Sequence, residues 1–242
     1  MGLLLILVLF GTIIYLVFQQ NKIAEQNKLW AGMAKETAHQ IGTPLSSMLG
    51  WVELLRLENT SEDIVQEIEK DVSRLNTIAD RFSKIGSIPK LQPVDLVEET
   101  RNAFDYIKSR SFKQIEFEFE NLYGKELMVN LNQQLYSWVI ENLVKNAIDA
   151  MQGKGTLRIT TSREGNKAVV LVSDSGKGIL KRLHQKIFDP GYTTKKRGWG
   201  LGLSLTKRII EDYHKGRIFV KSSEIGKGTT FAIELKLVED NL

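Results

Sequence analysis

The chain has 242 residues, of which 42% are hydrophobic and 26% are charged. This composition is ordinary for a globular protein with a buried core, and a net charge of +4 without a lysine–arginine block argues against a nucleic-acid-binding protein. The absence of cysteine excludes disulfides, thiolate metal sites and cysteine nucleophiles.

Residues 3–18, LLLILVLFGTIIYLVF, carry no charge and are mostly apolar. A helix of this length falls just short of a hydrocarbon core about 30 Å thick, which a bilayer can accommodate by thinning. The run lacks a preceding basic segment and a small-residue cleavage site, which favours a retained anchor over a signal peptide. We therefore predict a transmembrane anchor at 1–19 and, because Lys22 and Lys28 follow it, a cytoplasmic location for the rest of the chain.

Two amphipathic helices are predicted between residues 20 and 88, because apolar residues recur there at three- and four-residue steps. These residues are Ile41, Leu45, Met48, Val52 and Leu55 in the first helix and Ile64, Ile68, Leu75, Ile78, Phe82 and Ile85 in the second. A single hairpin leaves much of these apolar faces exposed to water. Two hairpins can bury them in a four-helix bundle, so we predict a homodimer. A linker is expected at 89–93, where prolines interrupt the pattern.

Helix and strand patterns alternate from residue 94 onward, which predicts an α/β domain over 94–242. Helices are expected at 94–110, 132–151 and 203–213, the first of them capped by Asp95. Strands are expected at 115–120, 127–130, 156–162, 168–174, 217–222 and 229–237. The predicted fold class is therefore α+β, with a membrane helix, a helical hairpin in a dimeric bundle and a two-layer α/β sandwich.

Two asparagines, Asn142 and Asn146, lie one turn apart on the predicted helix at 132–151 and project from one face. Their side chains offer carbonyl oxygens to a hard cation and N–H donors to phosphate. Such a pair is also common on ordinary helix surfaces, so it does not define a site by itself.

Three glycine-rich stretches follow in the sequence. VSDSGKGI, at 172–179, ends a buried strand at Asp174, whose carboxylate can accept a hydrogen bond from an exocyclic amine. GWGLGLS, at 198–204, opens into a helix whose free amides favour phosphate. GKGTTF, at 226–231, supplies a tight turn before the last strand.

The ordered set N-x-x-x-N, D-x-G-x-G, FDPGYTTK, G-x-G-x-G and G-x-G-T resembles the ATP-binding domain of bacterial sensor histidine kinases, over roughly 94–238. The preceding hairpin with HQIGTPLSS resembles their dimerisation and phosphoacceptor domain. Each motif is modest, but five of them in the family's order are specific. The resemblance implies a Bergerat-type ATP-binding sandwich, ATP and Mg²⁺ as cofactors, and the receiver domain of a response regulator as partner.

The resemblance also implies roles for residues near the nucleotide. Asn146 would bind Mg²⁺, Asn142 and Lys145 would touch phosphates, and Asp174 would accept a hydrogen bond from the adenine amine. Two glycines would lie beneath the adenine, Gly176 and Gly178.

A mobile lid is implied after this motif. Phe188 would pin the lid, and Lys195 or Lys196 could reach the triphosphate from it. Three glycines would let the helix at 203–213 present its amides to phosphate, namely Gly198, Gly200 and Gly202. Thr229 of the G-x-G-T motif completes the implied nucleotide-binding set.

His39 in HQIGTPLSS is the implied phosphoacceptor. It shares a small, polar helical face with Thr43, Ser46 and Gly50, which leaves room for a second domain to dock. Pro44 removes a backbone hydrogen bond and is expected to bend the helix just below the ring. A neutral imidazole near physiological pH is a competent nucleophile toward the γ-phosphorus of ATP.

Gln40 departs from the family pattern, in which a glutamate or aspartate follows the phosphoacceptor. Because an amide cannot act as a carboxylate base, we expect either slow autophosphorylation or another group that orients the ring. Thr43 matches the residue that in relatives positions water for dephosphorylating a partner, so phosphatase action is also expected. His184 and His214 are expected to be surface histidines without a role.

The resulting prediction is a single-pass histidine kinase of the inner membrane that acts as a homodimer and passes phosphate from His39 to an aspartate of a response regulator. With two residues before the anchor, we expect no outer sensing domain and a stimulus from the membrane or from a separate sensory partner. Two alternatives stay open. A hydrolase of the same fold would need a glutamate at Asn142, and Glu141 points about 100° aside. A catalytically weak scaffold, or a phosphatase-dominant homologue, would fit Gln40.

Overall fold

The structure, a computed structural model, describes residues 1–57, 62–63, 65–66, 68–70, 72–73, 75, 89–111, 114–195 and 200–238. The side chains of 19–44 and of residue 47 lie outside this description, as do those of every undescribed residue. The predicted site side chains of His39, Gln40, Thr43, Lys196 and Gly198 therefore fall outside it. Contacts divide the chain into two units, Met1–Pro89 and Lys90–Leu242.

The first unit begins with one long helix, α1, at Gly2–Leu57. Its backbone is helical through the whole HQIGTPLSS segment. The large apolar side chains at 3–18 are between 49% and 76% exposed. No helix in the described part of the chain combines the length and the hydropathy that a membrane span needs.

Helical residues between 62 and 75 pack against α1. Leu45 and Val52 of α1 are buried, as are Val65 and Val72, and Leu45 and Val72 belong to one apolar cluster. Nη2 of Arg56 also donates to Oε2 of Glu69 at 2.7 Å. Because positions late in α1 meet earlier positions of the second segment, the two run antiparallel, as the hairpin prediction requires.

The predicted stripes are only partly buried within this unit. Met48, Ile68 and Leu75 were assigned to them but are 45%, 36% and 41% exposed. A step of three residues turns a helix by about 300°, so Ile68 lies roughly 60° away from Val65 around the helix axis. Val65 therefore faces α1, and Ile68 is left on a neighbouring exposed face.

The described part of the second unit contains three α-helices, seven strands and two 3-10 turns, at Lys181–Leu183 and Lys186–Phe188. The helices are α2 at Leu96–Lys108, α3 at Gln133–Ala150 and α4 at Gly202–Arg208, the last followed by a π-helical turn at Ile209–Tyr213. The strands are β1 at Gln92–Asp95, β2 at Ile115–Asn121, β3 at Met128–Leu131, β4 at Gly155–Glu164, β5 at Lys167–Asp174, β6 at Arg217–Glu224 and β7 at Gly228–Lys236. Every helix and strand predicted from residue 94 onward is present, and the predicted α/β domain is confirmed.

Five strands form a mixed sheet in the order β2-β4-β5-β7-β6, in which β2 and β4 are parallel and the other pairs antiparallel. Along β4, Leu157 and Ile159 are buried while Arg158 between them is exposed. This alternation marks a sheet with one face against the core, and its buried residues join those of α2 and α3 in one apolar cluster.

Strand β1 was not predicted. Gln92 and Pro93, assigned to the linker, instead pair antiparallel with Leu131 and Asn130 of β3. A proline can occupy this place because a two-stranded ribbon is all edge, and its missing N–H need not face a partner. Asp95 caps α2 as predicted, and its Oδ1 accepts from the N–H of Val97 at 3.0 Å.

His214 is 6% exposed, which corrects the expectation of a surface histidine. The N–H of Asn132 donates to its Nε2 at 3.0 Å, so the ring proton is on Nδ1, which donates to the carbonyl oxygen of Ile209 at 2.7 Å. The neutral ring thus connects the π-helical turn to the N-cap of α3. Only the folded chain brings these three residues together, which is why sequence spacing did not reveal the contact.

We expect the free energy of unfolding to fall as the pH drops below 6.5, because burial lowers the pKa of His214 from this usual value. Below it the unfolded chain takes up a proton that the folded ring resists, so stability present above pH 6.5 is lost as the pH falls toward the folded-state pKa. The H214Q variant keeps a donor and an acceptor but cannot be protonated, so its stability should vary less between about pH 7 and about pH 5. Urea denaturation measures this difference, and parallel pH profiles would contradict it.

Candidate functional site

Helix α3 carries much of the candidate site, and its buried face fixes its rotation. The spacing of Val139, Leu143, Ala147 and Ala150 predicts one buried face; the first three are buried, and Ala150 is half-buried. Asn132 caps the helix by accepting a hydrogen bond from the N–H of Leu135 at 3.1 Å. With that face against the core, the asparagine face of α3 is directed to the segments that follow β5.

Asn142 and Asn146 share one face of α3. Asn142 is half-buried, and its Nδ2 donates to Oγ1 of Thr206 at 2.7 Å. Gly202 stands against the same amide, since a Cβ at this glycine would lie 2.6 Å from Asn142 Oδ1. Two residues implied to contact phosphate therefore also hold α3 against the start of α4.

Asn146 has a cationic group at its carbonyl oxygen. Nζ of Lys195 donates to Asn146 Oδ1 at 3.1 Å and to Oδ2 of Asp149 at 2.5 Å. An amide oxygen is a hard ligand, and Mg²⁺ completes its coordination with water and substrate phosphate oxygens. The residues present thus fit the implied Mg²⁺, and an ammonium group stands at the oxygen that would hold it.

Lys145, the other lysine implied to reach phosphate from α3, is 65% exposed at its side chain. Its Nζ lies 3.4 Å from Oε2 of Glu141, whose side chain is 9% exposed. Glu141 is thus a mostly buried carboxylate, one residue away from the asparagine face. Because the Lys145 side chain is mostly exposed, its ion pair with Glu141 is weak, and its ammonium can exchange this carboxylate for another acceptor.

Asp174 lies at the end of β5 and is half-buried. Its Oδ1 accepts a hydrogen bond from the N–H of Gly176 at 2.8 Å. Burial raises the pKa of the Asp174 carboxyl above its usual 3.8, while hydrogen bonds from the N–H groups of Gly176 and Thr229 act in the opposite direction. The N–H of Lys177 donates to the carbonyl oxygen of Ala150 at 3.1 Å, which joins this loop to the end of α3.

Gly178 of the D-x-G-x-G motif and Thr229 of the G-x-G-T motif make contacts that hold the fold together. A Cβ at Gly178 would lie 2.2 Å from the carbonyl oxygen of Glu224. Thr229 is opposite Asp174 in the β5–β7 register and is 4% exposed, with its Oγ1 2.9 Å from Oγ of Ser223. Both residues therefore fix the position of the Asp174 loop relative to the turn between β6 and β7.

Two contacts flank the segment that the resemblance implies is a lid. Phe188 is 7% exposed and packs edge-on against Phe231, with the ring centroids 6.3 Å apart. Farther along, the N–H of Gly191 donates to the carbonyl oxygen of Gly200 at 3.0 Å, and a Cβ at Gly200 would lie 2.4 Å from the Gly191 backbone. The backbone at Gly191 is thus tied directly to the backbone at Gly200.

Sequence reasoning missed three residues of this region, Asp149, Thr206 and Ser223. Asp149 could have been found, because it follows Asn146 by three residues and shares its helical face. Thr206 could not, because it meets Asn142 across a contact between helices far apart in the chain. Ser223 could not, because its contact with Thr229 depends on the pairing register of β6 and β7.

Comparison with known families matches both units. Residues 132–239 match the family of histidine kinase-, DNA gyrase B- and HSP90-like ATPases, and residues 30–88 match the His Kinase A (phospho-acceptor) domain. Sporulation kinase D of Bacillus subtilis is 30% identical over 97% of this chain and 48% of its own length. The signal transduction histidine-protein kinase AtoS of Escherichia coli is 33% identical over 90% of this chain and 36% of its own. The chain thus spans about half, or less, of these curated relatives.

Two solved structures extend the comparison. The catalytic domain of histidine kinase ThkA is 34% identical with a TM-score of 0.56, over 61% of this chain and 96% of that domain. ThkA in complex with the response regulator protein TrrA is 28% identical with a TM-score of 0.59, over 94% of this chain and 68% of that one.

Proposed function

Because this chain belongs to the sensor histidine kinases of two-component systems, we propose that it transfers the γ-phosphoryl group of ATP to His39 and then to an aspartate of a response regulator. The observation that carries the proposal is the convergence around α3 of Asn146, a cationic group at its oxygen, and the loop that holds Asp174. The match to the phosphoacceptor family at 30–88, which contains His39, supplies the second half of the reaction.

In this proposal the chain's residues bind and orient the nucleotide. The Asp174 carboxylate accepts a hydrogen bond from the adenine amine, and Gly176 keeps that carboxylate in place. Asn146 Oδ1 holds Mg²⁺, which when bound offsets charge on the triphosphate. Lys145 and Lys195 leave their present carboxylate partners, Glu141 and Asp149, for phosphate oxygens.

The chemical step is an in-line displacement. A neutral imidazole nitrogen of His39 attacks the γ-phosphorus, the bond from phosphorus to the β–γ bridging oxygen breaks, and ADP leaves. An aspartate carboxylate of the regulator then attacks the phosphohistidine, and the imidazole leaves. Gln40 supplies no carboxylate base, so we expect the first step to be slow.

Hydrolysis of ATP by this unit is the less favoured function. The hydrolases of this fold place a glutamate where this chain has Asn142, and that amide is bonded to Thr206. The neighbouring carboxylate of Glu141 lies mostly buried beside Lys145. Within the described residues, this leaves the Asn142 position without a group that could activate water.

A homodimer is part of the proposal. Met48, Trp51, Ile68 and Leu75 are all at least 36% exposed, although each is a large apolar side chain on a helix that already packs a partner. A second hairpin would cover such residues in a four-helix bundle. The response regulator is the proposed second partner, in line with the ThkA complex.

Membrane anchoring is a further proposal. Its support is the uncharged run at 3–18, whose apolar side chains are exposed along α1. In this arrangement the helix is anchored in the inner membrane, and a separate sensory partner or the membrane itself delivers the stimulus.

Gln40 favours one second function, dephosphorylation of the regulator. Without a carboxylate beside His39 the forward reaction is weakened, whereas Thr43 keeps a hydroxyl that can position water. The balance between kinase and phosphatase activity can be measured as the rates of phosphotransfer to a purified regulator and of its dephosphorylation.

The test is the chemistry of the label. We expect the full chain, in detergent micelles with γ-labelled ATP and Mg²⁺, to acquire protein-bound phosphate that is lost in acid and kept in alkali. Acid-stable label would contradict a phosphohistidine, free phosphate without protein label would indicate a hydrolase, and nucleotide binding without either would indicate a scaffold.

A further inference from the structure

We propose that Asp149 is a positioning residue that keeps Lys195 on the carbonyl oxygen of Asn146 until Mg²⁺–ATP replaces it, an inference that rests on the proposed function. Asp149 has no part in the motif resemblance. In this role Asp149 determines how strongly Lys195 competes with Mg²⁺ for the carbonyl oxygen of Asn146.

The geometry places the three groups together. Successive residues of an α-helix are about 100° apart, so Asn142, Asn146 and Asp149 fall within roughly 60° of one another on α3. Asp149 therefore lies on the helical face that would receive the triphosphate. Lys195 reaches this face from the lid and bonds to both Asn146 and Asp149.

The contacts indicate which partner holds the lysine. The ammonium lies 2.5 Å from the Asp149 carboxylate and 3.1 Å from the Asn146 amide oxygen. Both hydrogen bonds have a charged donor, but only the bond to Asp149 also has a charged acceptor, so Asp149 is the stronger partner and Asn146 the weaker. The side chains of Lys195 and Asp149 are 45% and 55% exposed, so solvent weakens the pair enough for a ligand to displace it.

Lys195 and Mg²⁺ exclude one another at Asn146. Mg²⁺ needs its oxygen ligands at about 2.1 Å and in nearly ideal octahedral positions. An ammonium bonded to the same oxygen would bring two cations within a few ångströms of each other. Binding of the metal with its nucleotide therefore releases Lys195 from Asn146, and the triphosphate offers the lysine new acceptors.

The test compares nucleotide binding in four variants of the full chain in detergent micelles: wild type, D149N, K195Q and the double variant. The probe is a fluorescent trinitrophenyl derivative of ATP, titrated with Mg²⁺ present and with EDTA. We expect D149N to bind the probe with Mg²⁺ about two- to five-fold more tightly than wild type, the effect of one exposed ion pair, and to need less Mg²⁺ for half-saturation. In the K195Q background, D149N should have no effect, because the competing ammonium is already absent.

The D105N variant, with the same charge change on an exposed residue of α2, is the matched control and should bind like wild type. Tighter binding by D149N that persists in the K195Q background would mean that Asp149 only repels phosphate, and the proposal would be wrong. Weaker binding would make Asp149 a support for the metal, and unchanged binding would remove its role, so both overturn the inference. If the wild type binds the probe and D149N binds it equally well, the inference fails but the proposed function stands. If no variant binds the probe, the inference and the proposed function are both wrong.

Discussion

The H39Q variant is expected to acquire no acid-labile label from γ-labelled ATP under conditions in which the wild-type chain is labelled. A carboxamide nitrogen has no lone pair available for attack on phosphorus, so the substitution removes the nucleophile and keeps a polar side chain of similar length. The chain has two other histidines, and both lie outside the segment at 30–88 that matches the phosphoacceptor family. Both ring nitrogens of buried His214 are engaged, and Nε2 of His184 is bonded to the carbonyl oxygen of Ile179.

Two controls test whether the loss of label is specific to His39 and independent of nucleotide binding. H184Q removes a half-buried histidine of the ATP-binding unit and should leave labelling of the chain in place. H39Q should still bind the fluorescent ATP derivative as wild type does, because the substitution lies outside the ATP-binding unit. If H39Q retained acid-labile label, the phosphoacceptor would be another residue and the assignment of His39 would be wrong.

The regular elements of the second unit were accessible from the sequence because each has a local cause. The buried run of β5, the alternation of β2 and the Asp95 cap all depend on residues close together in the chain. Strand β1 was not accessible, because Gln92 and Pro93 acquire their pairing only when β3 lies beside them. The same holds for His214, whose partners come from two elements that the fold brings together.

Within the site, sequence patterns named residues but not their contacts. Gly202 and Thr229 were expected at the nucleotide, and in the structure they touch Asn142 and Ser223. Their roles toward ATP stay predictions, as do those of His39, Gln40 and Thr43. Lys195 was expected to reach the triphosphate, but its present carboxylate partner was not foreseen, because ion pairs between a helix and a lid depend on where the lid comes to lie.

The exposed stripe residues illustrate the limit of periodicity. Spacing alone predicted that Met48, Ile68 and Leu75 belong to buried faces, yet within one chain Val65 and Val72 fill that place. In the proposed dimeric bundle, each helix has two apolar neighbours, one in its own chain and one in the second copy. Periodicity identifies the combined apolar arc, and only tertiary contacts divide it between the two.

The G228A variant is expected to lose more than about 3 kcal/mol of unfolding free energy, because its side chain has no room and its backbone is strained. Gly228 has φ +121°, and a Cβ there would lie 1.8 Å from the carbonyl oxygen of Asp174 and 3.0 Å from Cα of Ser175. The Asp174 backbone cannot retreat freely, since it is paired with Thr229 in the sheet. Any shift would also move the carboxylate assigned to adenine, so binding of the fluorescent ATP derivative should fall with stability.

The same turn provides the matched control, because Gly226 also has a positive φ, +78°, but a Cβ there would meet nothing within 4 Å. G226A should therefore lose only the cost of a left-handed non-glycine residue, about 1–2 kcal/mol, and should bind nucleotide like wild type. Urea denaturation of both variants separates backbone strain from steric conflict. Equal losses would mean that the β6–β7 turn moves away from Asp174 without penalty, and the close packing of this turn would then have no part in holding the carboxylate proposed to bind adenine.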